Sequence, residues 1–220
     1  GPADGRAVSP HLARDLVRNY DVDFLQTCSF LYNSGRPELH PFLGVVLGGC
    51  FCKNCEKAAK RAGLDWEAIV RKARSIADML TRKSLESNED YLQLKKGDST
   101  PVMLLLENPE IFQWLKFRCD SVTSYLGEVS AAIHSVRPEA DFRFNTYRPD
   151  SEFIGQDMAG IKNHVQSIRM MDYIEQRGDP ALLITKEKWL ANVRRQVGHD
   201  MPIIGGIAPR GKATPEMIRK

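Results

Sequence analysis

Hydrophobic and polar positions change period several times along this chain, and each change marks an element. Over residues 10–19, Leu12, Leu16 and Val17 share one face at helical spacing and lead into an apolar run at 22–28 that predicts a strand. Residues 141–147 alternate with period two, Phe142, Phe144 and Thr146 against Arg143 and Asn145, which predicts a strand with two unlike faces. Two further strands are predicted at 167–173 and at 201–207, the latter bounded by Pro202 and Gly205-Gly206. A long helix is expected over 109–136, stopped by Arg137-Pro138, and another over 185–197 with Trp189, Leu190 and Val193 on its apolar side.

Strands alternating with helices predict parallel pairing through right-handed crossovers. A doubly wound nucleotide-binding sheet wants a glycine-rich turn after its first strand, and Thr27-Cys28-Ser29-Phe30-Leu31 stands there instead. The Gly205-Gly206 pair lacks the rest of that fingerprint. The expected fold is therefore α/β, a partial (β/α)8 TIM-barrel domain over 1–220, about half of a barrel. Residues 33–100 break the alternation with a Gly/Pro-rich loop, a cysteine cluster, a helix over 53–82 and a polar stretch at 84–100. They read as an inserted cysteine-containing helical subdomain after the first strand, entering the face where barrel enzymes work. Thr214-Pro215 then opens a helix, threonine as N-cap and proline at the first helical position. The chain reads as a segment whose missing half, or a second chain, completes the barrel.

Composition narrows the partners. With 31 basic against 28 acidic residues and no basic block interleaved with aromatics, nucleic acid is not an expected partner. The longest apolar runs, such as 102–106, are too short to cross a bilayer, and no signal-peptide pattern opens the chain, so localisation stays unassigned.

Cys50-Phe51-Cys52-Lys53-Asn54-Cys55 is the most specific local signal. Three thiols at C-x-C-x-x-C spacing, at a loop-to-helix junction, can turn towards one centre, and the helix N-terminus favours their thiolates. Structural zinc wants four such ligands. Cys28 leads as the fourth, followed by His40 and Cys119. Reduced, metal-free cysteines and a single disulfide are the alternatives.

The run Asn19-Tyr20-Asp21-Val22-Asp23-Phe24-Leu25-Gln26, followed by Gly49 and the cysteine cluster, resembles glycoside hydrolases of barrel fold, and the cluster is similar to the zinc-binding cysteines of family 42 beta-galactosidases. The run Ile204-Gly205-Gly206-Ile207-Ala208-Pro209-Arg210-Gly211 is similar to the seventh strand of that group. The resemblance implies that the four strands are the fourth to seventh of eight, and that the cluster holds a structural Zn2+. It also implies a carbohydrate substrate. The chain departs from the family at two strand ends. Gln26-Thr27-Cys28 carries no acid, and Gly206-Ile207-Ala208 stands where a glutamate nucleophile is expected. The scaffold and the metal clip carry over, and the family 42 mechanism does not.

Glycoside hydrolysis needs two carboxyl groups flanking the scissile bond. At strand ends the candidates are Asp172 first, with Glu175 just beyond it, and Asp150 and Glu152 after the second strand. Asn145, Tyr147 and Tyr173 are placed to hydrogen-bond or stack on sugar. A sugar-binding barrel without catalysis is the alternative function. An isomerase or aldolase is less favoured, since none of the four strands ends in lysine.

Overall fold

The computed structural model describes residues 3–27, 30–32, 49–81, 105–147, 151–171, 173–207, 211–215 and 217. Two compact units divide the chain. The first comprises Leu31–Ser121 with Glu152–Gly155 and Gly1–Ala3, and the second Asp4–Phe30, Val122–Ser151 and Gln156–Lys220.

All four strands lie in the second unit: β1 (Phe24–Gln26), β2 (Asp141–Thr146), β3 (Ser167–Met170) and β4 (Ile203–Gly205). They form one parallel sheet in sequential order β1-β2-β3-β4. That order separates the two β/α architectures. When every step moves the same way and every crossover is right-handed, all connecting helices fall on one face, as in a barrel. A doubly wound sheet reverses direction and covers both faces. The sheet is therefore a four-stranded parallel segment consistent with part of an α/β barrel.

Burial follows the alternation of β2. Phe142, Phe144 and Thr146 are buried on one face, joined in register by Ile168 and Met170 of β3. The other face is polar and partly open. Arg143 donates to Asp141 Oδ2 at 2.6 Å and to Ser167 Oγ at 3.1 Å, Ser167 donates to Asp141 Oδ1 at 2.7 Å, and the guanidinium lies 4.1 Å from the centre of the Phe24 ring. Phe24 itself is exposed.

Helices α1 (Ala3–Asn19), α2 (Lys53–Arg61), α3 (Trp66–Thr81), α4 (Pro109–His134), α5 (Met158–Ile161) and α6 (Leu183–Val197) alternate with these strands and with 3-10 turns at Ser151–Ile154, Ile174–Arg177 and Pro180–Leu182. Helix α1 begins well before Pro10 and runs through it, so the proline marks no start. The expected helix over 53–82 is two helices. Gly63 adopts a left-handed φ of 78° after α2, and Asp65 accepts the amide of Ala68 at 2.9 Å as α3 begins. A glycine exit followed by an aspartate cap is a stop-and-restart signal that the helical period conceals. Each strand is also shorter than expected: β3 ends at Met170, and 174–177 form a 3-10 turn. The polar stretch 84–100 lies outside the described residues, as does most of the helix expected after Thr214.

The first unit has its own core: Cys55, Ala59, Trp66, Ile69 and Trp114, with Leu64, Val70 and Phe117 against it. Arg118 is fully buried there, donating to the Phe153 carbonyl at 3.0 Å and lying over the Tyr32 ring. Burial pulls its guanidinium down to about 10, which leaves it charged at neutral pH.

Phe144 is fully buried at the centre of the sheet. Phe144→Ala is expected to destabilise the second unit by about 3–5 kcal/mol, measured by urea unfolding followed by circular dichroism. A loss under about 1 kcal/mol would contradict the assignment of this face to the core.

Candidate functional site

Two sets of residues carry chemistry, one in each unit. In the first unit, Cys50, Cys52 and Cys55 place their sulfurs within 4.8 Å of one another. Local backbone explains the convergence. Cys52 is the N-cap of α2 in an extended conformation, which swings the preceding residues across the open first turn, while Cys55 sits inside that turn. Tetrahedral zinc at roughly 2.3 Å from each sulfur needs sulfur separations of about 3.8 Å, so shifts of about 1 Å suffice.

The three thiols are not equivalent. The Cys52 sulfur makes no close capping bond, yet the amide of Cys55 stabilises its thiolate, followed by the Cys50 thiol, and its pKa falls to about 7. Cys55 is buried, and burial, then the Cys50 thiol, pushes it up to about 12. A buried thiol beside an exposed thiolate is a geometry compatible with a soft cation, which would displace the remaining protons and offset most of the thiolate charge. None of Cys50, Cys52, Cys55 and Cys119 forms a disulfide. Of the expected fourth ligands, Cys28 and His40 lie outside the described residues. Cys119 is not part of the group, its thiol donating instead to the Glu152 carbonyl at 3.5 Å.

In the second unit, chemistry gathers at the C-terminal ends of the strands. Asn145 is buried: its amide donates to the Thr27 carbonyl at 2.6 Å, and its backbone N–H donates to Thr27 Oγ1 at 3.0 Å. These bonds tie the end of β1 to β2 and leave Asn145 Oδ1 without a donor among the described residues. Gln156 is likewise buried, its amide reaching the Phe30 and Asn145 carbonyls at 3.2 and 3.4 Å. From within β3, Arg169 donates to the hydroxyl of Tyr173 at 3.1 Å. Glu175 is buried and ion-paired through Oε1 with Lys186, whose Nζ also donates to the Gly206 carbonyl at 2.8 Å.

Of the expected carboxylates, Asp172 and Asp150 lie outside the described residues. Glu152 is partly buried in the 3-10 turn Ser151–Ile154 and falls in the first unit, whereas Glu175 falls in the second. Tyr147, directly after β2, is partly buried. Thr27, Gln156 and Lys186 escape a reading by strand ends. Lys186 has a signal of its own, a cation in the first turn of α6, where the helix dipole disfavours one.

Comparison with protein-family models, curated proteins and solved structures gives no match. Among the described residues no helix is long and apolar enough to cross a membrane.

Zn2+ titration at neutral pH is expected to release protons, that of Cys55 among them, and affinity is expected to fall more steeply below about pH 7 as Cys52 takes up its proton. Calorimetry in buffers of different ionisation heat counts those protons. Affinity unchanged by Cys52→Ser would rule the cluster out as the binding site. Without metal the sign at alkaline pH is also set. Folded Cys55 keeps its proton where an unfolded thiol, near 9.0, has lost it, so stability falls as pH rises from 9.0 towards about 12. Thermal melts of metal-free protein at increasing pH check this, with Cys55→Ala as the control that lacks the added slope.

Proposed function

We propose that the chain is part of a carbohydrate-active barrel that cleaves glycosidic bonds by carboxylate acid/base chemistry at the C-terminal edge of its sheet. The sequential all-parallel sheet carries this reading, because such sheets work at the strand C-termini. There the buried polar groups of Thr27, Asn145 and Glu175 gather at otherwise apolar strands.

Asp172 is the leading carboxylate, two residues beyond the end of β3. Glu175, Asp150 and Glu152 are the candidates for its partner. One carboxyl group protonates the leaving oxygen, and the other attacks the anomeric carbon or activates water. Asn145, Tyr147 and Tyr173 would hold the sugar. Cys50, Cys52 and Cys55 would hold a structural Zn2+, with Cys28 as fourth ligand. Held by four protein ligands, such an ion would supply cohesion to a small unit rather than Lewis-acid chemistry. The polar sheet face of Arg143 and Asp141 is the surface that further barrel strands, from the same polypeptide or a second chain, would cover.

Sugar binding without cleavage is the second reading. The end of β1 favours it, where Thr27 is buried and bonded to Asn145 in place of a carboxylate.

Screening full-length protein against aryl glycosides, with an Asp172→Asn variant, tests the proposal. Turnover is expected to fall by about 10²–10⁴-fold in the variant, because an amide neither gives nor takes the proton. Turnover retained in Asp172→Asn would remove the assignment. Saturable sugar binding with no turnover in either protein would support the second reading.

A further inference from the structure

We infer that Lys186 is the positioning residue of the sheet's C-terminal edge between β3 and β4, an inference that rests on the reading of that edge as the active face. Three chain segments meet at its ammonium. The turn after β3 supplies the Glu175 carboxylate, the first turn of α6 supplies Lys186, and the residue after β4 supplies the Gly206 carbonyl at 2.8 Å. The Gly206 amide in turn donates to the Met170 carbonyl at 3.1 Å, so the clamp closes directly on the β3–β4 ladder.

Burial makes position, rather than stability, the product of this arrangement. Glu175 is 3% exposed and its Oε2 has no donor among the described residues, while the Lys186 side chain is 20% exposed. Two charges withdrawn this far from water lose in hydration most of what they gain in attraction, and an apolar pair of similar volume would serve stability as well. The charged pair instead supplies direction. It fixes the turn that follows Asp172, which lies three residues before Glu175 in the chain. The same turn closes through Gly178, in the left-handed region at φ 70°, whose amide donates to the Glu175 carbonyl at 3.1 Å. The other charged neighbours do not replace Lys186. Arg177 is exposed, Asp179 caps the next turn by accepting from Ala181, and Lys212 meets the turn through its backbone amide on the Gln176 carbonyl.

The test compares Lys186→Met, Lys186→Arg and the double variant Glu175→Gln/Lys186→Met in the full-length protein. In Lys186→Met the buried carboxylate loses its cation. This variant is expected to be markedly less stable than the native protein. The double variant, free of both charges, is expected to recover most of that stability. Amide hydrogen exchange at residues 173–178 and 207 is expected to stay raised about tenfold or more in both variants, with α4 unchanged. Where aryl glycosides are turned over, kcat falls in Lys186→Met with KM little altered, and is retained in Lys186→Arg. Exchange returning to the native rate in the double variant would show a merely structural pair and overturn the inference. So would a double variant no more stable than Lys186→Met. If the native protein turns over no glycoside, the reading of the active face fails, while melts and exchange still decide the clamp.

Discussion

Hydrogen bonding between β2 and β3 is the constraint on which the second unit depends. Four residue pairs run in register from Arg143 opposite Ser167 to Thr146 opposite Met170, and the outer strands add three pairs on either side. Register decides the face of every side chain, since a one-residue slip exchanges the two faces. Here a slip of β3 would send Arg169 among Phe142 and Phe144 and would turn Ile168 and Met170 out. The cost of burying a guanidinium group without a partner is far larger than any single packing defect. The charged face therefore specifies the pairing as firmly as the apolar one.

That charged face is also what sets this sheet apart from a doubly wound one. Helices on both sides would require apolar residues on both sides. Instead Asp141, Arg143 and Ser167 form a closed set of hydrogen bonds, with Phe24 stacked on the guanidinium. Groups that satisfy one another before any partner arrives do not demand an apolar cover. They tolerate the mixed, layered interior that inward-facing residues make in a barrel.

Much of this was legible because β2 alternates so cleanly, and because Trp66, Trp114 and Trp189 mark helix faces that are indeed buried. The thiol cluster was legible for a different reason: three cysteines in six residues at a helix start converge through local geometry alone. Contacts between distant segments were not legible. Nothing near Lys186 in the sequence announces Glu175 or Gly206, since the crossover that joins them is a property of the sheet. The break at Gly63 was missed because Leu64 and Trp66 keep the apolar rhythm of the flanking helices. Asn145, expected to face sugar, spends its amide on the Thr27 carbonyl across to the neighbouring strand.

The two units meet one shortage by different means. Apolar burial alone fixes an element well only when enough of it is available. In the first unit the cluster around the indoles of Trp66 and Trp114 includes the Cys55 thiol, so one thiol of the cysteine group is itself part of the core. Coordination there would join α2 to the residues before it with a directionality that packing lacks. In the second unit the apolar layer is ample at the centre of the sheet and thins at the strand ends, where Gly205 is exposed and Ile203 only half-buried. At those thinning ends direction comes from charge, through Lys186, and from amides, through Asn145 and Gln156. Each is a polar device placed where the hydrophobic core runs out. The proposed chemistry would sit at that same place, so groups that hold the edge and groups that would act on a substrate compete for the same few positions. Glu175 stands at that boundary: its Oε1 belongs to the clamp and its Oε2 to neither.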